Sequence, residues 1–311
     1  MQKEIKFFHD EKENINAVSK GVVTFVLSDE KNNKFNLYLK CALLQSLSFY
    51  FFNKQKISII IYEQDEKLIP KKYQNYFDKI IKIKKEEFDS FFSNNITYNN
   101  YKNFYFEYIV NRFTPYDYTI KTDSDIVWTK KLDDYYWNNI HKFDLWFTAN
   151  LCTFLDEKYD NKKIRRKLWE ENDLPDIYSA VFGFNKKSKK VLEFFYLCEQ
   201  IFINYEILKK IIYKSLCRHI PDTDYIMSTV VKLMKLNCFS YDSNWKMYHL
   251  TKEFIEEEFH YCYHIINSWR IEIKKNNIYY GLNKLSHPFH IQVKTEKNID
   301  NFIKKFENII K

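Results

Sequence analysis

"YDYTIKTDSDIVW", residues 116–128, decides the fold. A β-rich run climbs into two aspartates one residue apart, Asp123 and Asp125, and returns at once to Ile126, Val127 and Trp128. In a strand, alternate side chains face opposite sides, so Asp123 and Asp125 point one way and Ser124 the other. Two carboxylates converging on one side repel each other and lose hydration unless a cation or several donors neutralise them. Hard divalent ions want such an oxygen-rich arrangement, and Mg²⁺ or Mn²⁺ keeps coordination positions open for phosphate oxygens. The pair therefore reads as a metal site at a strand end. The plainer alternative is one aspartate capping a turn.

Working outward, the flanking sequence alternates strand and helix patterns. "VVTFVLSDE" (22–30) is a strand closing on polar groups, and 34–53 carries Leu37, Cys41, Leu44 and Leu47 at helical spacing. Residues 56–64 are a buried strand, 78–85 a short third strand, 93–100 a loop, and 101–113 a helix stopped before Pro115. The quoted stretch is the fourth strand. Beyond it come an apolar run at 143–151, a charged helix at 161–172, a strand at 177–185 and a long amphipathic helix from 187. A capped helix at 221–236, a strand at 261–273 and a closing amphipathic helix follow. Alternation of this kind implies an α/β fold with a central, mostly parallel sheet flanked by helices. Ligands then gather at the carboxyl ends of the strands, where the aspartate pair falls. Residues 1–20 read as an extension and 21–273 as one domain in two halves, 21–128 and 129–273. Residues 274–311 form a C-terminal segment.

Composition excludes whole classes of function. Glycine occurs three times, at Gly21, Gly183 and Gly281, so neither a P-loop nor a dinucleotide fingerprint exists. Phosphate must be met by side chains, helix ends or a metal. The net charge of +8 fits an anionic partner, yet acids are interspersed with the bases, as on a solvated surface. Six scattered cysteines without a C-x-x-C pair read as reduced residues of a cytoplasmic protein. No signal peptide or membrane span is evident.

On these residues the chain resembles the nucleotide-sugar glycosyltransferases of the GT-A fold. Strand, Asp-x-Asp and "IVWTKKLDDYY" carry the likeness, and the order of the other pieces is similar to family 8, the glycogenin and lipopolysaccharide galactosyltransferase type. "VLSDEKNNKFNLYLKCALLQSL" looks like that family's first strand and helix, "YSAVFGFNKKSKKVLEFF" like its sugar-site strand and helix, and "DTDYIMSTVV" like its Asp-Gln-Asp helix start. "HIINSWR" is similar to its His-x-x-Gly-x-x-Lys, with Asn267 for the glycine and Arg270 for the lysine. Lys121-Thr122 stands where family 8 has Tyr-Leu.

The resemblance implies Mn²⁺ or Mg²⁺ on Asp123, Asp125 and His264, with His287 and His290 as rival histidines. It implies nucleotide-sugar contacts from Ser28, Asp29, Glu63, Thr122, Ser124 and Arg270, and catalytic roles for Asp222 and Asp224. The donor would be a nucleotide-diphosphate sugar, UDP-sugar favoured, and the acceptor a glycan or glycolipid, with retention of configuration the lean. Each assignment has a plainer counterpart. Asp222 and Asp224 begin a helix, where aspartate caps well. His264 sits in an apolar run and fits a core. The run 162–167 is a solvated helix face, or else touches an anionic acceptor or a membrane surface. Tyr178, Trp245 and Trp269 could stack on sugars, although most aromatics must be core. Two other readings stay open: a basic nucleic-acid or polyanion binder, which leaves the carboxylate pair without a purpose, and a degenerate transferase serving as a scaffold. A phosphatase using Asp-x-Asp fits poorly, because Ile126-Val127 follow the pair where small or hydroxyl residues would be wanted.

Overall fold

The computed structural model describes residues 18–28, 35–95, 102–132, 134–148, 151–152, 164–175, 177–213, 219–238, 247–250, 271–280, 282–285, 288–291 and 295–310. Its centre is a six-stranded sheet. β1 (Lys20–Val26), β2 (Ile57–Tyr62), β3 (Phe77–Ile83), β4 (Tyr118–Thr122), β6 (Leu145–Thr148) and β8 (Tyr178–Asn185) lie in the order β3-β2-β1-β4-β8-β6. β3, β2, β1 and β4 run parallel, while β8 is antiparallel to both β4 and β6. The expected α/β class with a mostly parallel sheet is the one observed.

Side-chain alternation along these strands feeds two cores. Ile57, Ile59, Ile61 and Ile120 face a layer built on α1 (Phe35–Asn53), α5 (Asp134–Phe143) and α10 (Glu296–Ile310). Val23, Ile60, Phe182 and Phe184 face the opposite layer, which holds α4 (Lys102–Phe113), α7 (Lys189–Ile203), α8 (Tyr205–Ile212) and α9 (Thr223–Leu233). Every residue of β2 is buried, which explains its unbroken Ile-Ile-Ile run in a strand covered on both faces. Three further helices, α2 (Lys71–Gln74), α3 (Lys85–Asn95) and α6 (Ile164–Asn172), are found among the described residues. α3 reaches Asn95, so the expected loop at 93–100 begins later; residues 96–100 lie outside the described set.

Two of the three glycines serve close approach. At Gly183 a Cβ would stand 2.3 Å from the Ile140 side chain, so α5 presses directly on β8. At Gly21 the ring of Tyr116 fills that space, at 2.2 Å.

A second sheet corrects the reading of 116–128 as one strand. β4 stops at Thr122, residues 124–125 turn, and β5 (Ile126–Val127) joins a different sheet in the order β5-β13-β9-β7. Its partners are β13 (Phe289–Ile291), β9 (Met247–Leu250) and β7 (Leu151–Cys152). The apolar run at 143–151 is likewise divided, between β6 and β7. A small antiparallel sheet of β10 (Ile271–Lys274), β11 (Asn277–Tyr280) and β12 (Asn283–Leu285) lies between α9 and β13 in sequence. Among the described residues no helix is long and apolar enough to cross a membrane.

Candidate metal centre

The aspartate pair sits where the chain leaves one sheet for the other. The Asp123 N–H donates to Ala180 O at 2.7 Å, extending the β4–β8 ladder by one rung. The Ile126 N–H then reaches back to Asp123 O at 3.4 Å, so the two carboxylates converge through a tight turn and not through strand alternation.

α1 fixes this turn with polar groups it buries. Gln45 Nε2 donates to Thr122 Oγ1 at 2.8 Å and to Asp123 O at 2.6 Å. Ser48 Oγ accepts from Trp128 N–H at 3.1 Å, and Asn53 Oδ1 from Leu132 N–H at 2.7 Å. Buried polar groups are costly without partners, and here the partners are backbone atoms of the site segment. On the other flank, Ile291 N–H donates to Asp125 O at 3.0 Å, and His290 pairs with Ile126 in the β13–β5 register.

That register delivers a histidine. His290 Nε2 lies 3.0 Å from Asp125 Oδ1 and 3.9 Å from Asp123 Oδ2. One donor atom from each of Asp123, Asp125 and His290 lies within 4.8 Å of the others. An octahedral ion about 2.1 Å from its ligands places neighbouring ligands roughly 3 Å apart and opposite ones roughly 4.2 Å apart, separations that the 3.0 and 3.9 Å distances approach. The donor set of two carboxylates and one imidazole suits Mn²⁺ or Mg²⁺ more than a soft metal. His290 Nδ1 is hydrogen-bonded to the Tyr178 hydroxyl. For Nε2 to offer its lone pair to a cation, Nδ1 must carry the proton and donate it to that hydroxyl, and a second partner of this kind orients a ligating ring.

Behind Asp123 lies a buried charge network. Lys121, on the same side of the chain, is fully buried and donates from Nζ to Asp123 Oδ1 at 2.6 Å, to Glu107 Oε1 at 2.5 Å and to Ser179 O at 3.4 Å. Phe25 and Phe182 flank the ammonium, with ring centroids at 5.4 and 5.5 Å. Burial works against the lysine's charge, but the Asp123 and Glu107 carboxylates outweigh it and its pKa is raised. Burial pushes the Glu107 carboxyl up to about 8, against the pull of Lys121. Asp224 adjoins the same place: its Oδ1 accepts from the Ser179 N–H and from Ser179 Oγ, each at 2.7 Å. Asp222 is the N-cap of α9, accepting from Tyr225 N–H at 3.3 Å.

The remaining sequence candidates divide by position. Ser28 follows β1 half-buried, Ser124 is buried in the turn, and Glu63 opens an exposed 3₁₀ turn after β2. Thr122 is fully buried under Gln45. Tyr178, considered as a sugar-stacking ring, is buried and spends its hydroxyl on His290. Asp29, His264, Arg270, Trp245, Trp269 and His287, and the run 162–163, lie outside the described residues. Gln45, Glu107 and the Tyr178 hydroxyl were not singled out from sequence. Polar positions inside an apolar helix pattern were the signal for the first two; nothing in the sequence pairs Tyr178 with His290.

At the level of sequence, no family model and no curated protein matches the chain. In fold it is similar to mouse xyloside xylosyltransferase 1 in its apo form, with a TM-score of 0.53, 12% identity, and coverage of 90% of this chain and 100% of that one. The crystal structure of galactosyltransferase LgtC in complex with donor and acceptor sugar analogs aligns with a TM-score of 0.48 and 11% identity, over 92% of this chain and 95% of that one. The architecture is thus the GT-A type that the sequence led us to expect.

Proposed function

We propose that the protein is a metal-dependent glycosyltransferase, moving a sugar from a nucleotide-diphosphate sugar to a hydroxyl acceptor. One observation carries this reading: Asp123, Asp125 and His290 converge at the carboxyl end of a central parallel strand, in a chain folded like a xylosyltransferase. Asp123 and Asp125 through carboxylate oxygens, and His290 through Nε2, would hold Mn²⁺ or Mg²⁺. When bound, such an ion neutralises the charge that grows on a departing diphosphate.

The rest falls to the chain's own groups. Tyr178 orients the imidazole, and Gln45 pins the backbone that carries both carboxylates. Ser28, Asp29, Glu63 and Ser124 are assigned to the nucleoside side, with Thr122 acting from beneath through Gln45. Arg270 is assigned to the diphosphate. Asp224, anchored by Ser179, offers a carboxylate toward the sugar and acceptor, and Asp222 sets the helix that carries it. A UDP-sugar donor, a glycan or glycolipid acceptor and retention are taken from the family-8 resemblance, a cytoplasmic setting from the scattered cysteines, and peripheral membrane contact from the basic run 162–167. A polyanion-binding reading has no use for two carboxylates and an imidazole meeting at a strand end.

The test is a panel of nucleotide sugars offered to chelator-treated protein with and without Mn²⁺. At least one sugar should be hydrolysed or transferred only when Mn²⁺ is returned, and Asp125→Asn should abolish this without lowering the melting temperature. Full activity in the chelated protein, or in the Asn variant, would defeat the proposal.

A further inference from the structure

A fully buried lysine bonded to one oxygen of a candidate metal ligand is an unusual neighbour for a cation site. We infer that Lys121 is a positioning residue that shares Asp123 with the bound ion, holding its Oδ1 and leaving Oδ2 to ligate, so that the ion binds weakly alone and firmly only with a diphosphate. This rests on the proposed metal-dependent transfer and specifies how the centre is tuned.

The geometry supports it at each point. All three ammonium protons have a partner, Asp123 Oδ1 at 2.6 Å, Glu107 Oε1 at 2.5 Å and Ser179 O at 3.4 Å, so the lysine has no reason to leave. The rings of Phe25 and Phe182 close its sides, and its side chain is wholly buried. It therefore cannot reach a ligand itself; it acts through Asp123. The other Asp123 oxygen, Oδ2, is the one turned to His290 Nε2, at 3.9 Å. Two consequences follow from elementary electrostatics. Lys121 takes up a lone pair of Asp123 Oδ1 and draws its negative charge, which favours ligation through Oδ2. A fixed positive charge behind that carboxylate also opposes an incoming divalent cation through a medium that screens poorly. A diphosphate brings its own negative charge and ligand oxygens, which offset the lysine. By linkage, the ion must then strengthen diphosphate binding by the same factor.

The experiment measures binding, independently of turnover. Mn²⁺ alone, uridine diphosphate alone and the two together are titrated by calorimetry, with the Mn²⁺ paramagnetic resonance spectrum as a second readout of its ligand environment. The proteins are wild type, Lys121→Met, Lys121→Arg and the double variant Lys121→Met/Glu107→Gln, which spares the buried carboxylate from losing its partner. Lys121→Met and the double variant should bind Mn²⁺ alone at least tenfold more tightly, with an altered spectrum and a correspondingly smaller coupling to uridine diphosphate. Lys121→Arg should stay within about threefold of wild type on both counts. If Lys121 only stabilises the fold, the Met variants will melt lower while Mn²⁺ affinity, spectrum and coupling stay as in wild type, and the inference is overturned. Should Lys121→Met fail to fold, the double variant alone decides between these outcomes. A wild-type protein that binds no Mn²⁺ in any combination would remove the metal reading and this inference together; wild-type binding with unchanged variants removes the inference only.

Discussion

Asp224 is where anchoring and chemistry can be pulled apart. Its Oδ1 accepts two hydrogen bonds at 2.7 Å from Ser179, a residue only 6% exposed, so Asp224→Ala strands a buried N–H and a buried hydroxyl. A bond to a charged acceptor contributes about 1.5–3 kcal/mol, and part of the hydroxyl's loss is recoverable because it can rotate to Thr223 Oγ1, 3.3 Å away. The Ala variant should therefore lose about 2–5 kcal/mol. At roughly 2–4 °C per kcal/mol, the melting temperature should fall by about 4–20 °C. Asp224→Asn keeps an oxygen for the Ser179 N–H and should lose less than about 1.5 kcal/mol. Asp222→Ala removes a 3.3 Å cap, and loss of such a cap costs about 0.5–2 kcal/mol. Urea unfolding supplies the stabilities; Mn²⁺ and nucleoside diphosphate affinities and transfer rate are measured on the same preparations. If Asp224 acts on sugar or acceptor, the Asn variant will stay folded and bind metal and nucleotide, yet lose most transfer. Unchanged stability of Asp224→Ala would refute the anchoring argument, and wild-type transfer by Asp224→Asn would refute the chemical one.

Two further outcomes test the frame around the site. Burial alone would raise the Asp117 carboxyl, but hydrogen bonds from Lys187 and the Ser19 N–H hold its pKa below the usual value. Its contribution is therefore present above an unfolded pKa of about 3.9 and lost as pH falls through the lower folded value. Asp117→Asn should be less stable than wild type at pH 7, and the gap should close as pH falls through the lowered folded value; a gap unchanged by acid would contradict the pairing. Gly183→Ala drives a methyl to 2.3 Å from Ile140 Cδ1 and should cost about 1–3 kcal/mol in unfolding experiments, with part of it recovered by adding Ile140→Ala. No loss would mean α5 can lift off β8 freely.

Hydrophobic period made the first half of the fold legible. The Ile-rich 57–62 run, the helical spacing of Leu37, Cys41 and Leu44, and the stop before Pro115 each report one local preference, and β1 to β4 follow them. The aspartate pair was legible because converging carboxylates are chemically odd. What the pattern could not say is how strands pair. Alternation is the same in either direction, so the antiparallel setting of β8 against β4 was hidden. The turn at 124–125 was hidden too, because Ile126 and Val127 are as β-prone as the residues before it and only the second sheet shows that they changed partner. His290 is brought beside the pair by the β13–β5 register, a long-range fact. Lys121 looked like a departure from a family pattern; its burial between Glu107 and Asp123 is a tertiary choice.

The β13 register has a bearing on biosynthesis. A chain emerging from the ribosome can form β1 to β4 and α1, and so present Asp123 and Asp125, long before His290 exists. At about 5–20 residues per second the interval is of order ten seconds. During it the nascent protein holds two adjacent carboxylates, with Lys121 beside one of them, and lacks the imidazole of His290. A chain halted anywhere before β13 would carry the acidic half of the centre without the nitrogen that finishes it, and β5 would lack the neighbour it pairs with. On the proposed metal centre, competence would be conferred late in translation, and a prematurely terminated copy would lack one of its three ligands.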